Sequence, residues 1–252
     1  QKKVIDAVEY IKSHYEVDVI AGSVATAEAA EALIAAGADI LRIGMGPGAI
    51  CSTRVVSGMG VPQLSSILEI VKVSRKAGVP LIADGGIVNS GDAVKAIAAG
   101  ADTVMMGRMF AGTVEAPGNE VLIDDADVPA NFRSSCNGAA RYRFKAYRGM
   151  GSIASMKRGV AVSSEDEFHG KSYTNKDTLI AEGVEGLVPC TGTVSELIEQ
   201  LRGGLLAGMY YVGTRTIPAL QRDATFIRIT QASLIESHPH DLVITNSGGN
   251  YN

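Results

Sequence analysis

The segment EALIAAGADILRIG (31–44) is repeated as VKAIAAGADTVMMG (94–107), with Asp39 aligned on Asp102. In each copy an Ala-rich stretch typical of a helix ends at a Gly, the residue that most often closes a helix. A short apolar run bounded by a second Gly follows, too short for a helix and typical of a parallel strand buried on both faces. The repeat therefore predicts a helix followed by a strand, twice.

Two further strands are predicted beside the repeat, DVIAG (18–22) before the first copy and VPLIADGG (79–86) between the copies. Strands and helices that alternate in this way are typical of a βα-repeat fold, either a doubly wound sheet or a (β/α)-barrel. A closed barrel needs eight strands, whereas four are predicted. The chain is therefore either a small open sheet or half of a barrel, and its start at Gln1 rather than Met is in keeping with a fragment.

The alternation breaks after about residue 113. Residues 114–146 are polar around NFRSSCNGAA, which predicts an irregular excursion, and residues 157–181 lack clear periodicity, which predicts a mobile flap. Regular structure returns at 193–211, where Thr193 and Glu196 have the spacing of a capping box. We expect a single catalytic domain over residues 1–252.

Composition excludes several classes of protein. A chain of 252 residues that is 46% hydrophobic can fill a sizeable core. With 23 Lys and Arg against 27 Asp and Glu, its net charge of -4 argues against a general nucleic-acid or membrane-surface binder but permits an anionic small ligand. No apolar run approaches the ~20 residues that cross a bilayer. The three cysteines, Cys51, Cys136 and Cys190, lack metal-ligand spacing and favour the cytoplasm or another reducing compartment.

Glycine-bearing loops follow the predicted strands at their C-terminal ends, where βα-repeat proteins bind ligands. Glycine lets backbone N–H groups approach a phosphate closely. One such loop is more often a simple tight turn, but several in corresponding places predict a phosphate site. The loops are GMGPGAICSTR (44–54), ADGGI (83–87), MGRMFAG (106–112) and YRGMGS (147–152).

Cys51 lies in the first of these loops, among glycines and hydroxyl side chains. Free cysteine is most often a small buried hydrophobe, but this setting favours a nucleophilic thiolate stabilised by backbone dipoles. Asp84 either accepts hydrogen bonds from two sugar hydroxyls or caps the following turn. His238 and His240 flank a proline without a carboxylate pattern, so we interpret them as structural rather than as zinc ligands.

Several motifs, in this order, resemble the IMP dehydrogenase/GMP reductase family over nearly the whole chain. They are GMGPGAICSTR, IADGG, MMG, EAPG, YRGMGS and AEGVEGLVP. The resemblance implies a (β/α)8 TIM barrel acting as a homotetramer, of which this chain supplies about the C-terminal half, strands 5 to 8, with a flap and a C-terminal segment. It also implies a purine nucleoside monophosphate substrate, a nicotinamide cofactor and a monovalent cation, potassium.

The resemblance also implies roles for individual residues. Cys51 attacks C2 of the purine, with Thr53 as the catalytic threonine and Glu182 as a further catalytic group. The substrate contacts are Asp84 on the ribose hydroxyls, Gly86, Gly107 and Tyr147 on the phosphate, and Met150, Gly151 and Glu182 on the base. The cation site combines the carbonyls of Gly46, Gly48 and Cys51 with Glu236, Ser237 and His238 of a neighbouring subunit.

The chain departs from the family pattern at three positions. Ala49 stands where the family usually has a phosphate-binding serine. Ser23 replaces a common cofactor-contacting asparagine and is assigned here to cofactor binding. Arg108 replaces a small residue beside the phosphate, and its guanidinium can compensate for Ala49 as a charged donor to substrate.

The family contains two activities that share the covalent intermediate. The dehydrogenase hydrolyses it with water activated by an Arg-Tyr pair in the flap, whereas the reductase releases ammonia from GMP and takes hydride from NADPH. The nearest match in this flap is Asp166-Glu167-Phe168, and Glu167 cannot supply a guanidinium. Arg141-Tyr142 lies in the excursion instead. This favours a GMP reductase in which Glu182 and Thr53 supply the acid for deamination.

Two features keep the alternative open, because EGVEGLVP (182–189) and ESHPHDLVITN (236–246) resemble the dehydrogenases. That alternative is an IMP dehydrogenase using NAD. A non-catalytic nucleotide-binding barrel is disfavoured because Cys51 and Thr53 are both present. A Schiff-base aldolase is disfavoured because no lysine falls at a predicted strand end.

Overall fold

A computed structural model of the chain describes residues 2–129, 141–165 and 180–242, with side chains described at 2–129, 141–159 and 180–242. Its central sheet has four parallel strands, β1 (Ile20–Val24), β2 (Ile40–Ile43), β3 (Leu81–Asp84) and β4 (Thr103–Met105). Sheet order equals chain order, so each strand pairs with the next one along the chain. This succession is that of consecutive barrel strands, and the four predicted strands are confirmed.

Helices connect the strands. They are α1 (Lys2–His14), α2 (Ala27–Ala35), α3 (Thr53–Val56), α4 (Gln63–Ala77), α5 (Ser90–Ala98) and α6 (Arg108–Ala111). The two helices of the repeat begin at capping side chains, since Thr26 accepts a hydrogen bond from the Ala29 amide and Asn89 accepts one from the Asp92 amide. The helices predicted in both copies of the repeat are thereby confirmed.

The sheet buries one face rather than two. Leu41, Ile43, Leu81 and Ala83, which point toward the helices, are at most 1% exposed. The alternate positions of β2 and β3 are only partly buried. Burial is thus complete on the side that faces the helices; the partly buried side is the one that lines the interior where such strands belong to a closed barrel.

Residues 114–146, predicted to be irregular, contain regular structure. Strands β5 (Glu120–Asp124) and β6 (Arg141–Arg148) pair antiparallel, and β6 pairs in turn with β7 (Glu185–Pro189). A short 3-10 helix follows β5 at Asp125–Asp127. Charged and apolar residues alternate at the start of β6, the period of a half-buried strand, which the polar composition of the region obscured. Residues 130–140, with Cys136, lie outside the described residues.

The predicted flap begins within a helix, α7 (Ile153–Glu165), so the expectation that 157–181 lacks regular structure is wrong for 157–165. Residues 166–179, which include the Asp166-Glu167-Phe168 match, lie outside the described residues. The mobility of the flap stays a prediction.

The C-terminal region is helical, with α8 (Val194–Val212), α9 (Ile217–Asp223) and α10 (Gln231–Glu236). The capping box at the start of α8 is confirmed, because Thr193 Oγ1 accepts from the Glu196 amide at 3.2 Å and the Glu196 carboxylate accepts from the Thr193 amide at 2.6 Å. Among the described helices, none has the length and apolar character needed to cross a membrane.

Candidate active site

The loop after β2 pairs with the chain that precedes β7. The Ser52 amide donates to the Glu182 carbonyl at 2.9 Å, and the Val184 amide donates to the Ile50 carbonyl at 3.0 Å. Cys51 lies between these bonds in an isolated antiparallel bridge with Gly183. The pairing brings together residues that are far apart in sequence and fixes Glu182 beside Cys51.

Side chains of the same segments form a continuous hydrogen-bond chain. The Cys51 thiol donates to Thr53 Oγ1 at 3.2 Å, and the Thr53 hydroxyl donates to Glu182 Oε2 at 3.0 Å. Cys51 is exposed rather than part of the core, so the interpretation as a buried hydrophobe does not hold. A thiol connected through a hydroxyl to a carboxylate can lose its proton along this chain as the sulfur attacks an electrophile.

The loop at 149–151 packs directly on the Glu182 backbone. The Glu182 amide donates to the Gly151 carbonyl at 3.1 Å, and the Gly149 amide donates to the Val184 carbonyl at 3.0 Å. A Cβ at Gly183 would lie 3.2 Å from main-chain atoms of this loop, so the backbones approach closely only because the residue is glycine. Met150 is 93% exposed, leaving its side chain and main chain accessible to a ligand.

Asp84 ends β3 and faces Arg42 of the adjacent strand. The Arg42 Nε lies 3.5 Å from Asp84 Oδ2, while the Arg42 Nη2 donates to Ser23 Oγ at 2.6 Å. Burial raises the pKa of Asp84 above its ordinary value, and the positive charge of Arg42 opposes that rise. The Ser23 hydroxyl is thus engaged by Arg42, and its assignment to cofactor binding stays a prediction.

Arg42 is the site residue that sequence reasoning missed. The sequence feature that could have identified Arg42 is a charged side chain within the otherwise apolar strand ILRI (40–43). A charged side chain is rarely buried in a strand unless a partner lies near it. Among the described residues, its buried Nε has no hydrogen-bond partner. Asp84 Oδ2 lies 3.5 Å from this Nε, so the positive charge of the guanidinium is held beside that carboxylate.

Glycines and a tyrosine converge beside Asp84. Gly86 has a φ of 76°, and a Cβ there would lie 3.3 Å from Pro47 in the Cys51 loop. A Cβ at Gly107 would collide with the Tyr147 hydroxyl. Burial and, secondarily, the negative charge of Asp84 raise the pKa of Tyr147, so its hydroxyl stays protonated and able to donate. Gly107 and Tyr147 are thus in direct contact, while Gly86 packs on the Cys51 loop through Pro47; their role in phosphate binding stays a prediction.

Arg108 is the first residue of α6, directly after Gly107. It also lines a cavity of about 500 Å³ with residues of β7 and of the first turns of α8. Its preceding residue, Gly107, is the one that lies against the Tyr147 hydroxyl, and the role of Arg108 as a donor to substrate stays a prediction.

The predicted cation ligands fall into two groups. Gly46 has a φ of 82° and packs against Arg54, and the Gly48 carbonyl accepts from the Cys51 amide at 3.0 Å. Main-chain carbonyls on one turn suit a monovalent cation. The second group, Glu236, Ser237 and His238, lies at the C-terminal end of α10. Within the described ranges, no three His, Cys, Asp or Glu side chains are grouped to hold a metal ion.

The chain is similar to known proteins over nearly its whole length. A family model described as the IMP dehydrogenase / GMP reductase domain matches residues 1–240. The inosine-5'-monophosphate dehydrogenase of Rhodopirellula baltica is 50% identical over 252 residues, covering 99% of this chain and 43% of that protein. The enzyme of the same name from Methanocaldococcus jannaschii is 47% identical over 254 residues, covering 99% of this chain and 48% of that protein.

Among solved structures, a cysteine-to-alanine variant of GMP reductase from Trypanosoma brucei, in complex with guanosine 5'-monophosphate, aligns with a TM-score of 0.81. It is 44% identical, and the match covers 95% of this chain and 45% of that one. The chain therefore forms part of a TIM barrel and spans less than half the length of these relatives. With its family model, its relatives and its fold in agreement, the chain belongs to the IMP dehydrogenase / GMP reductase family.

Proposed function

We propose that the protein is a GMP reductase, which converts GMP to IMP and ammonia with NADPH through a covalent bond between Cys51 and the nucleotide. The observation that carries the proposal is the hydrogen-bond chain from Cys51 through Thr53 to Glu182. It links the nucleophile to a group able to protonate a departing amine. In addition, residues 152–182 contain no Arg-Tyr pair that would activate water.

The chain of hydrogen bonds accounts for the movement of protons. As the Cys51 sulfur forms a bond to C2 of GMP, its proton passes through the Thr53 hydroxyl to Glu182. Glu182 returns a proton through Thr53 to the 2-amino group, whose bond to C2 breaks as ammonia leaves. NADPH, when bound, supplies a hydride to C2. The bond from C2 to sulfur then breaks, IMP leaves, and the Cys51 thiolate takes up a proton from solvent, the one proton that the overall reaction consumes.

The remaining predicted residues bind the nucleotide. Asp84, as a carboxylate, accepts hydrogen bonds from the ribose hydroxyls, and the protonated Tyr147 hydroxyl donates to the phosphate together with Gly86, Gly107 and Arg108. Met150 and Gly151 hold the base through main-chain groups beside Glu182. Ser23 and Arg42 lie where the nicotinamide binds. Potassium would hold the Cys51 loop in a homotetramer. Its ligands would be the carbonyls of Gly46, Gly48 and Cys51, with Glu236, Ser237 and His238 of the partner subunit.

IMP dehydrogenase is the alternative, and the names of the curated relatives favour it. That reaction needs a base for water. Arg141 and Tyr142 are poor candidates, because Tyr142 is 9% exposed within β6 and Arg141 pairs with Asp124 at 2.7 Å. Among the described residues, Glu182 connected through Thr53 is the group that would accept the proton of water in a dehydrogenase.

Absorbance of the reduced nicotinamide distinguishes the two activities. The full-length protein is supplied with GMP and NADPH, and separately with IMP and NAD. We expect GMP-dependent oxidation of NADPH with release of ammonia. Rapid IMP-dependent reduction of NAD, with no reaction of GMP, would overturn the reductase assignment.

A further inference from the structure

Lys145 is a buried lysine in the middle strand of the antiparallel sheet, and it is 3% exposed. Its ammonium donates to three main-chain carbonyls, Thr113 at 2.6 Å, Ala116 at 2.7 Å and Val114 at 3.1 Å. An ammonium has three N–H donors, so each one has an acceptor. Burying a charge costs free energy that only complete hydrogen bonding offsets. The ammonium is thus surrounded as a bound monovalent cation would be.

The carbonyls belong to the turn that follows α6. Thr113 ties the turn to α6, because its hydroxyl donates to the Phe110 carbonyl at 2.8 Å. Glu115 ties it to α8, because its carboxylate accepts from the Val194 amide at 2.9 Å. Three carbonyl dipoles that point to one place repel each other without a positive charge between them. The ammonium therefore holds this turn in shape.

The same face of β6 carries Tyr147, two residues beyond Lys145. Its hydroxyl lies against Gly107, the residue that precedes α6. Strand β6 therefore contacts the chain on both sides of α6. Tyr147 lies against Gly107, just before the helix, and Lys145 binds the turn just after it. A helix of four residues has little stability of its own, so its placement depends on such contacts.

We infer that Lys145 is a positioning residue for the phosphate end of the nucleotide site, acting as a cation tethered to β6. By fixing the turn at 113–116, it sets where Gly107 and Arg108 lie relative to the Tyr147 hydroxyl. This inference rests on the proposed function, in which those three residues contact the phosphate. Lys145 itself contacts neither substrate nor cofactor.

The inference predicts an effect on the phosphate and not on the base or ribose. In the full-length protein, Lys145→Met should weaken GMP binding about tenfold while changing guanosine binding less than twofold, both measured by calorimetry. The ratio of the two affinities is the decisive quantity, because general destabilisation weakens both ligands. Lys72→Met, at an exposed position on α4 that pairs with Glu69, is the matched control and should keep the wild-type ratio.

A second experiment tests the cation directly. Lys145→Ala leaves the three carbonyls around an empty space, and methylammonium at constant potassium concentration should restore part of its GMP affinity. Wild-type protein should not respond. Absence of rescue in a folded Lys145→Ala variant would show that the charge is not what holds the turn.

If both Lys145 variants fail to fold, Thr113→Val is tested instead. It removes the hydroxyl that binds the Phe110 carbonyl, so it loosens the same turn while the Lys145 ammonium stays in place. We expect its ratio of GMP to guanosine affinity to fall about threefold. An unchanged ratio in folded Lys145→Met, or in Thr113→Val, would overturn the inference. If wild-type protein proves to act on IMP, the same ratios are measured with IMP and inosine. That outcome removes the reductase assignment and still tests Lys145.

Discussion

The two copies of the repeat have the same framework but contribute different groups to the site. In the first copy (31–44), Asp39 Oδ2 accepts from the amide of Val19, directly before β1, at 2.7 Å. In the second copy (94–107), Asp102 Oδ2 accepts from the amide of Leu81, the first residue of β3, at 2.8 Å. Each aspartate thus joins the start of its own strand to the start of the preceding one. The repeated Gly-Ala-Asp is a structural device for registering parallel strands.

The site residues break this symmetry. Counted from those aspartates, Arg42 of β2 corresponds to Met105 of β4, and Asp84 of β3 corresponds to Ala21 of β1. Because β2 pairs with β3, the one charged side chain of each of these two strands meets the other at the junction between the copies. The framework is therefore duplicated, whereas the chemistry arises where the copies adjoin and in the loops that follow them.

The largest expected effect comes from the loop that only the first copy carries. Cys51→Ala should lower turnover by about 10⁴-fold or more, since it removes the nucleophile. Two quantities would be measured together, the rate of GMP-dependent NADPH oxidation from the absorbance of the reduced nicotinamide and the nucleotide adduct in mass spectrometry. Both should be lost in Cys51→Ala. Cys190→Ala, at a half-buried cysteine after β7, should retain activity within about twofold. Turnover that survives in Cys51→Ala would mean that the chemistry lies elsewhere.

Glu182→Gln should have the next largest effect, about 10²-fold on kcat, because an amide cannot carry protons between Thr53 and the substrate. The Michaelis constant should change much less, since the glutamine can still hydrogen-bond. Glu199→Gln, at an exposed pair with Arg202 on α8, is the matched control. An equal loss in both variants would indicate a general structural effect, and no loss in either would remove Glu182 from the proton path.

Arg42→Gln tests the ion pair between Arg42 and Asp84 at the junction between the copies. Without the guanidinium, burial raises the pKa of Asp84 further, so nucleotide binding is lost at a higher pH as the solution is acidified. Preference for GMP over 2'-deoxy-GMP should shrink about fivefold at neutral pH, because Asp84 is then poorly oriented toward the ribose. Arg75 is the control position, since its Nη2 donates to Gln221 on the outer helices. Arg75→Gln should change neither the pH at which nucleotide binding is lost nor the preference for GMP. If the pH dependence of nucleotide binding is unaltered in Arg42→Gln, Arg42 does not control the protonation of Asp84.

The smallest effect concerns the two aspartates of the framework. Asp39 has an additional partner, Lys12, at 2.9 Å, and that contact lowers the pKa of Asp39 below its ordinary value. A carboxyl whose folded-state pKa is lowered contributes stability above its unfolded pKa and loses it as pH falls through the folded value. Asp39→Ala should therefore lower Tm by a few degrees more than Asp102→Ala at pH 7. The difference should vanish in acid, and equal Tm values at pH 7 would contradict it.

The sequence predicted the parts of the fold that depend on local periodicity. Both repeat helices, all four parallel strands and the capping box at Thr193 follow from short-range patterns, and all are observed. The antiparallel sheet was missed because β6 pairs with strands distant in sequence, and no single segment records that partner. Long-range pairing is decided by tertiary contacts rather than by propensity.

The candidate site was predicted in its composition but not in its connections. Motif resemblance grouped Cys51, Thr53 and Glu182, whereas the direction of the hydrogen bonds between them is set by the tertiary structure. Arg42 and Lys145 were missed for a shared reason. Each is a charged residue in a strand, and its role is set by neighbours on other strands and loops.

The backbone pairing around Cys51 and Gly183 has a mechanical consequence. The hydrogen bonds on either side of the bridge join residues 50 and 52 to residues 182 and 184, so they fix the Cys51 loop relative to Glu182. Residue 182 directly follows the segment 157–181, so the main chain is anchored at the end of that segment. A change of length or sequence within 157–181 should therefore leave the spacing between Cys51 and Glu182 unchanged.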